Sequence, residues 1–230
     1  MIASLTIVRY KKRFIPFALT AMALHRLPMS FQKGCSFWKL LGTGKDEGFS
    51  MRADWQQWGL FAVWETEDDF HGFNETSFIS KWWNAFALER WTILLQPLQS
   101  HGKWGGVDPF GKIAPKITAG QVAVLTRAQI KFSKLKAFWG AVAGVEEQLS
   151  AAPGRIKSIA IGETHYLAAT FSIWDNVENM KAFAYKPGKH VDVIKRARDE
   201  QWLSEELFAR FKPIASIGTL NGKNPLEGLI

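Results

Sequence analysis

The chain has 230 residues, 47% of them hydrophobic and 22% charged, which is long and apolar enough for a large core and excludes a disordered chain. Its formal net charge is +8, yet no nucleic-acid motif accompanies it, and basic residues are interleaved with acids, as in KRARDE at 195–200. A basic face of this kind suits a membrane surface or the carboxylates of a ligand.

Cys35 is the single cysteine, so an intrachain disulfide and a thiolate cluster for zinc or iron–sulfur are both excluded, and a reducing cytoplasm is the expected location. Residues 1–27 carry Arg9, Lys11, Lys12 and Arg13 and contain no unbroken apolar run of spanning length, so neither secretion nor membrane insertion is expected. Eleven Trp and seventeen Phe against three Tyr exceed ordinary core filling and point to a cavity for a flat or long apolar ligand, although most of them belong to the core.

In chain order, the pattern predicts a strand at residues 4–9, a helix over about 14–27 and a strand at 36–42. The run GLFAVW then reads as a third strand ending at Trp64, followed by a helix rich in Glu67, Asp68 and Asp69, where carboxylates favour the positive helix end. A further helix and a last strand closed by Pro97 complete the set. Residues 101–115 are rich in glycine and proline and break both periodicities, so a boundary is expected near Pro115.

The plan then repeats. QVAVLTR at 121–127 is a strand, 132–149 a helix, 156–162 a strand, and ATFSIW a strand ending at Trp174, with a closing strand stopped by Pro213. Arg9 and Arg127 match at an offset of 118, the glycines at 120, and the two tryptophans at 110. Each copy reads β-α-β-β-α-β, the ferredoxin-like plan, so the expected fold is α+β, with halves 1–115 and 116–230 whose sheets pack face to face.

Five blocks carry a likeness in a fixed order: FWKLLGTGKDEGFS (37–50), GKWGGVDPFG (102–111), VLTRAQI (124–130), TFSIWDNVENMKAF (170–183) and GKHVDVIKRARDEQWLSEELFARF (188–211). Together they resemble the spheroidene monooxygenase family of carotenoid biosynthesis. The resemblance implies a dimeric α+β barrel of the class that includes chlorite dismutases, dye-decolourising peroxidases and aldoxime dehydratases. It further implies a haem b (iron) cofactor, oxygenation of a long apolar polyene and a homodimer; such a reaction needs an external electron donor, since the chain has no flavin or iron–sulfur motif of its own, while peripheral membrane contact of this cytoplasmic protein is an expectation from its basic charge alone.

A haem needs an axial ligand, an apolar pocket and cations for its propionates. Of five histidines, His25 reads as a surface or boundary residue, and His71 and His101 as wet. His165 lies in the expected hairpin GETHY. His190 opens a helix after Lys186-Pro187-Gly188, beside an apolar stripe of Val191, Ile194, Ala197 and Trp202, and the first copy has no histidine there.

His190 is therefore the expected metal ligand, with a solvated imidazole and His165 as the alternatives. In the haem relatives, too, the proximal histidine comes from the C-terminal half. Arg198, eight residues on, is expected either to bind a propionate or to pair with an acid, and Trp202 to join the cofactor wall. Arg127, on an otherwise apolar strand, is the candidate catalytic residue, as a propionate partner or a cation near bound oxygen, or else faces outward from an edge.

Gly42-Thr-Gly44 with Gly48 lacks the lysine–serine ending of a phosphate loop, and neither HExxH nor a Ser-His-Asp order occurs. Three alternatives to the haem monooxygenase stay open: a haem dehydratase or peroxidase acting on a small substrate, a non-catalytic carrier of haem or an apolar ligand, and a cofactor-free barrel monooxygenase.

Overall fold

The computed structural model describes residues 1–45, 52–114 and 119–230; the expected boundary at Pro115, Gly48 and the tail of the 37–50 block lie outside them. The first succession is β1 (Ile2–Tyr10), α1 (Ile15–Leu24), α2 (Arg26–Ser30), β2 (Cys35–Gly44), β3 (Ala53–Trp64), α3 (Glu67–Thr76), α4 (Phe78–Phe86) and β4 (Ala87–Gly102). The second is β5 (Val122–Ile130), α5 (Leu135–Ser150), β6 (Arg155–Thr164), β7 (Leu167–Trp174), α6 (Val177–Tyr185), α7 (Lys189–Asp199) and β8 (Leu203–Gly218). The helical segment before each last strand is thus a pair of helices. Ser77 in extended conformation separates α3 from α4, and the Lys186-Pro187-Gly188 break separates α6 from α7.

Local chemistry sets these boundaries. Thr66 caps α3, and the Asp69 carboxylate accepts from the Thr66 backbone N–H in return, a capping box that explains the acidic cluster without a catalytic role. Asn176 does the same work for α6 by accepting from the Asn179 N–H at 2.8 Å. Gly42-Thr-Gly44 lies within β2 and is no phosphate loop.

The chain forms two compact units, the first of Met1–Thr43, Asp54–Pro97 and Pro213–Ile230, the second of Gly44–Ala53 and Leu98–Lys212. In the first, β1 pairs antiparallel with β3 and β4. Phe70, Phe73, Ile79 and Trp83 of α3 and α4 pack with Val8, Tyr10, Leu60 and Trp64 of its sheet. In the second, β5 pairs antiparallel with β7 and β8, and β6 with β7.

The strand registers make the two units comparable residue by residue. Ile2 faces Trp64 as Val122 faces Trp174, and both first strands slip register at the end, where Tyr10 faces Ala87 and Ile130 faces Leu203. The offset along the first strands is therefore 120 throughout, and the expected match of Arg9 with Arg127 at 118 is corrected. Arg9 corresponds to Gln129, and Arg127 to Ile7. The error was two residues, one full strand repeat, which leaves every residue on its own face and so escapes a reading of the hydrophobic pattern.

The last strands also differ from expectation, since β4 and β8 continue past Pro97 and Pro213 instead of ending there. Proline's fixed φ is compatible with extended backbone, and its cost in a strand is confined to one missing donor. Each strand ends at a glycine in the left-handed region. A Cβ on Gly102 (φ +94°) would lie 2.1 Å from the Glu206 carbonyl oxygen, and one on Gly218 (φ +81°) 2.1 Å from that of Arg90. The turn that follows is the same in both: Lys103 N–H donates to Glu206 O at 2.8 Å, and Thr219 N–H to Arg90 O at 3.0 Å. Carboxylates then hold the loops, Glu205 accepting from Gly105 and Gly106, and Glu89 from Asn221 and Gly222.

Candidate functional site

The second unit contains a cavity of about 730 Å³, within the size range of small-molecule and cofactor sites. Its floor is one face of the sheet, with Val124, Thr126 and Ala128 from β5 and Ala168, Thr170 and Ser172 from β7; α5, α6 and α7 form the walls. Over the same face of the first unit lies a void of about 10 Å³, too small for a ligand.

Register explains the difference. Trp58 and Val8, paired across β1 and β3, are replaced by Ala168 and Ala128, and Leu60 is replaced by Thr170. The hydroxyls change as well. Thr6 bonds Thr92 at 2.9 Å in the first unit, but Phe208 stands in the place of Thr92 in the second, and the buried Thr170 hydroxyl has no partner.

His190 lies in this wall, in the first turn of α7. Its backbone N–H donates to Gln148 Oε1 at 3.1 Å, and Lys189 Nζ approaches Glu147 at 3.3 Å, so α5 fixes where α7 begins. The imidazole lies against Phe183 (ring centroids 4.7 Å apart), which in turn lies against Trp174 (5.3 Å). Burial lowers the pKa of the imidazole, against an opposing hydrogen bond to the Ala184 backbone, and keeps the ring neutral at physiological pH. Its Nδ1 is buried without a partner.

Of the other histidines, only His101 lines the cavity. It is exposed at the end of β4 and stacked on Phe208 with centroids 5.2 Å apart. Sequence reading placed it in a wet linker; the signal it lacked was the continuation of β4 past Pro97. His165 is exposed in the β6–β7 turn, where its carbonyl accepts the Trp139 indole N–H at 3.1 Å, and it takes no part in the cavity. His71 is an exposed partner of Glu67 at 3.6 Å.

His25 departs from its expected surface position. It is 2% exposed in the first unit, enclosed edge-on by Phe78, Trp82 and Trp83, and burial pushes its pKa down to about 4. The aromatic residues of α4 close over the helix that carries it.

Arg127 alternates onto the sheet face opposite Thr126 and Ala128, so it borders the cavity through its backbone. It is 2% exposed, and its guanidinium pairs with the Glu205 carboxylate and with Gln129 Oε1 at 3.3 Å. Burial pushes the Glu205 pKa up, but the amides of Gly106 and Gly105 and the Arg127 charge outweigh it and hold the carboxyl below its usual range. Arg198, in the last turn of α7, lines the cavity and is exposed, as a cation at its rim. Trp202 is fully buried behind the wall, its indole N–H donating to Glu200 at 2.8 Å and its ring near Phe138.

The residues fit a haem. The neutral His190 imidazole, with an unpartnered nitrogen, stands in an apolar wall, with Lys131 and Arg198 as cations for carboxylates. Among the described residues no cluster of three or more His, Cys, Asp and Glu is arranged to hold a metal ion.

No family model matches the chain. It is 37% identical over 233 residues to the spheroidene monooxygenase of Rhodobacter capsulatus, a match that spans 100% of this chain and 97% of the relative. It is 34% identical to the enzymes of the same name from Cereibacter sphaeroides, over 94% of this chain and 67% of that one, and from Rubrivivax gelatinosus, over 85% and 75%. Among solved structures, the aldoxime dehydratase OxdRE in complex with butyraldoxime has a TM-score of 0.60 at 12% identity, covering 100% of this chain and 85% of that one; the likeness is one of fold alone. The full-length relationship to the named enzymes decides the family: the chain belongs to the spheroidene monooxygenases and is an oxidoreductase of the monooxygenase type.

Proposed function

We propose that the cavity of the second unit is the site of a haem b whose iron His190 would hold, and that an apolar, carotenoid-type substrate is oxygenated in this cavity. The observation that carries this reading is the His190 imidazole, held neutral by burial in an apolar wall with Nδ1 unpartnered. A histidine whose one nitrogen ligates and whose other side meets a backbone carbonyl is the usual arrangement of a ligating imidazole, and Ala184 supplies the backbone partner. Activation of dioxygen is the chemistry that such a cofactor supplies when bound.

The chain's own residues bind, orient and exclude water. Gln148 and Glu147 fix the start of α7 and so the imbedding of His190, Phe183 restricts its ring, and Arg198 and Lys131 offer charge to propionates at the rim. Trp202 acts from behind, by bracing Phe138, and Arg127 by fixing Glu205 and the loop that carries Gly105 and Gly106. Reduction of the second oxygen atom to water takes a pair of electrons, and the sequence has no flavin or iron–sulfur motif, so an external electron donor completes the reaction. The repeated succession and common register support two ferredoxin-like copies of the dimeric α+β barrel class.

Protein produced with iron and haem precursor should show a Soret band. His190→Ala should abolish or displace it, and His165→Ala should leave it in place. A wild-type protein that takes up no haem, or a His190→Ala spectrum identical to wild type, overturns the assignment. Product analysis with linear carotenoids then tests the substrate class.

A further inference from the structure

The helix after the first strand is uncharged in the first unit and carries charged residues in the second. Helix α1, sequence IPFALTAMAL, carries no charge on any side, yet only Ala18 and Ala21 of it are buried. Such a helix is ordinarily enclosed by protein or lipid. Phe17, Leu24, Leu27 and Phe31 recur at the spacing of one helical stripe through α1 and α2, with Leu27 68% and Phe31 77% exposed. The stripe continues onto α4, where Phe17 stacks on Phe86 and reaches Trp82, which in turn contacts the half-exposed Phe78. On α5, which follows the first strand in the second unit as α1 does in the first, the exposed positions include Lys136, Glu147 and Ser150.

Charge identifies what covers the stripe. Residues 1–45 hold eight Lys and Arg and no Asp or Glu, and the remaining 21 basic residues are matched by all 21 acids, so the whole net charge of +8 resides in the segment that carries α1 and α2. Lys11, Lys12 and Arg13 precede α1, and Arg26 and Lys33 flank the end of the stripe, all of them exposed. Exposed Phe and Leu framed by basic residues are the pattern of a helix lying in the headgroup region of an anionic membrane. A second copy of the chain fits poorly, because a two-fold contact would set two faces of the same strong charge against each other. Among the described residues no helix is long and apolar enough to cross a membrane, so the contact is peripheral.

We infer that α1, α2 and the exposed aromatic residues of α4 form the face by which this protein lies on an anionic lipid surface. The proposal rests on this surface alone and does not depend on the ligand of His190. Its test is co-sedimentation of the purified full chain with vesicles of phosphatidylglycerol and phosphatidylcholine, or of phosphatidylcholine alone.

Wild type should bind the anionic vesicles, bind the neutral ones at least about tenfold less, and be released at about 0.5 M salt, where exposed charges are screened. Leu27→Glu/Phe31→Glu should lose binding with unchanged thermal unfolding, because both positions are exposed, and Lys11→Gln/Lys12→Gln should weaken it without touching the stripe. Wild type that ignores anionic vesicles, or a Leu27→Glu/Phe31→Glu protein that binds like wild type, overturns the proposal. So does a wild-type dimer that binds no vesicles and becomes a monomer on that double substitution, which would make the face a contact between copies.

Discussion

The two units share strand order and register but use the space above their sheets in opposite ways. In the first, Trp58, Tyr10 and Trp83 fill it, and the one polar ring inside, His25, is sealed among aromatic edges. In the second, Ala168, Ala128 and Thr170 stand at the matching positions and about 730 Å³ stays open beneath His190. A site therefore arises here from subtraction: the scaffold is held constant and large side chains are withdrawn from one copy. An unpartnered hydroxyl, Thr170, replaces Leu60, and Thr126 loses the threonine that its counterpart Thr6 bonds, so the hollow acquires polar atoms without any new element.

Restoring the missing bulk should erase the difference. Ala168→Trp places in the second unit the residue that the first has at Trp58, and it should abolish haem and ligand binding while the protein stays folded. Absorption titration with haem beside thermal unfolding checks this, and undiminished uptake would mean that the cavity is not the site.

The paired arginines offer a second contrast. Arg127→Met leaves Glu205 with its amide donors but without its buried cation, and should cost about 3 kcal/mol in urea denaturation, near the lower end for a broken buried pair. Arg9→Met breaks a part-buried contact with Asp54 and should cost less, about 1 kcal/mol, the upper end for an ion pair that solvent reaches. Equal losses would show that burial does not separate the two strands as described.

Acid should distinguish the units as well. His25 is buried in its neutral form, whereas the unfolded chain takes up a proton near pH 6.5, so its contribution is full above that pH and declines as pH falls towards the folded value of about 4. The loss should reach about 3 kcal/mol at the acid end. His25→Gln, neutral throughout, should flatten the stability profile between pH 6.5 and 4, and a profile parallel to wild type would remove His25 as its source.

Much of this was legible in the sequence, and the parts that were not share a cause. The duplicated succession of elements follows from periodicity, and the matching Trp64 and Trp174 fixed the third strands at an offset that the registers share. His190 stood out because the first copy has no histidine in the matching region, and the structure puts the buried Ile79 at the same step from the helix cap there. The face of Arg127 was the harder matter, since a charge on an apolar strand signals a special environment without saying on which side the partner lies. Glu205, its partner, is 78 residues away, and no local pattern links them. His25 misled for a related reason: its flank Leu24-His25-Arg26 looks superficial, and the aromatic enclosure comes from α4, more than fifty residues on.

One feature of the strand ends bears on how the chain is made. The loop closed by Glu89 and Arg90 is supplied by residues 219–222, so the first unit is completed by the segment Pro213–Ile230. A ribosome delivers all of Leu98–Lys212 before that segment, which means that the second unit can close around its cavity while the first still waits for its last piece. The nascent first unit then waits for that interval without the donors of residues 219–222 that answer Glu89 in the finished fold.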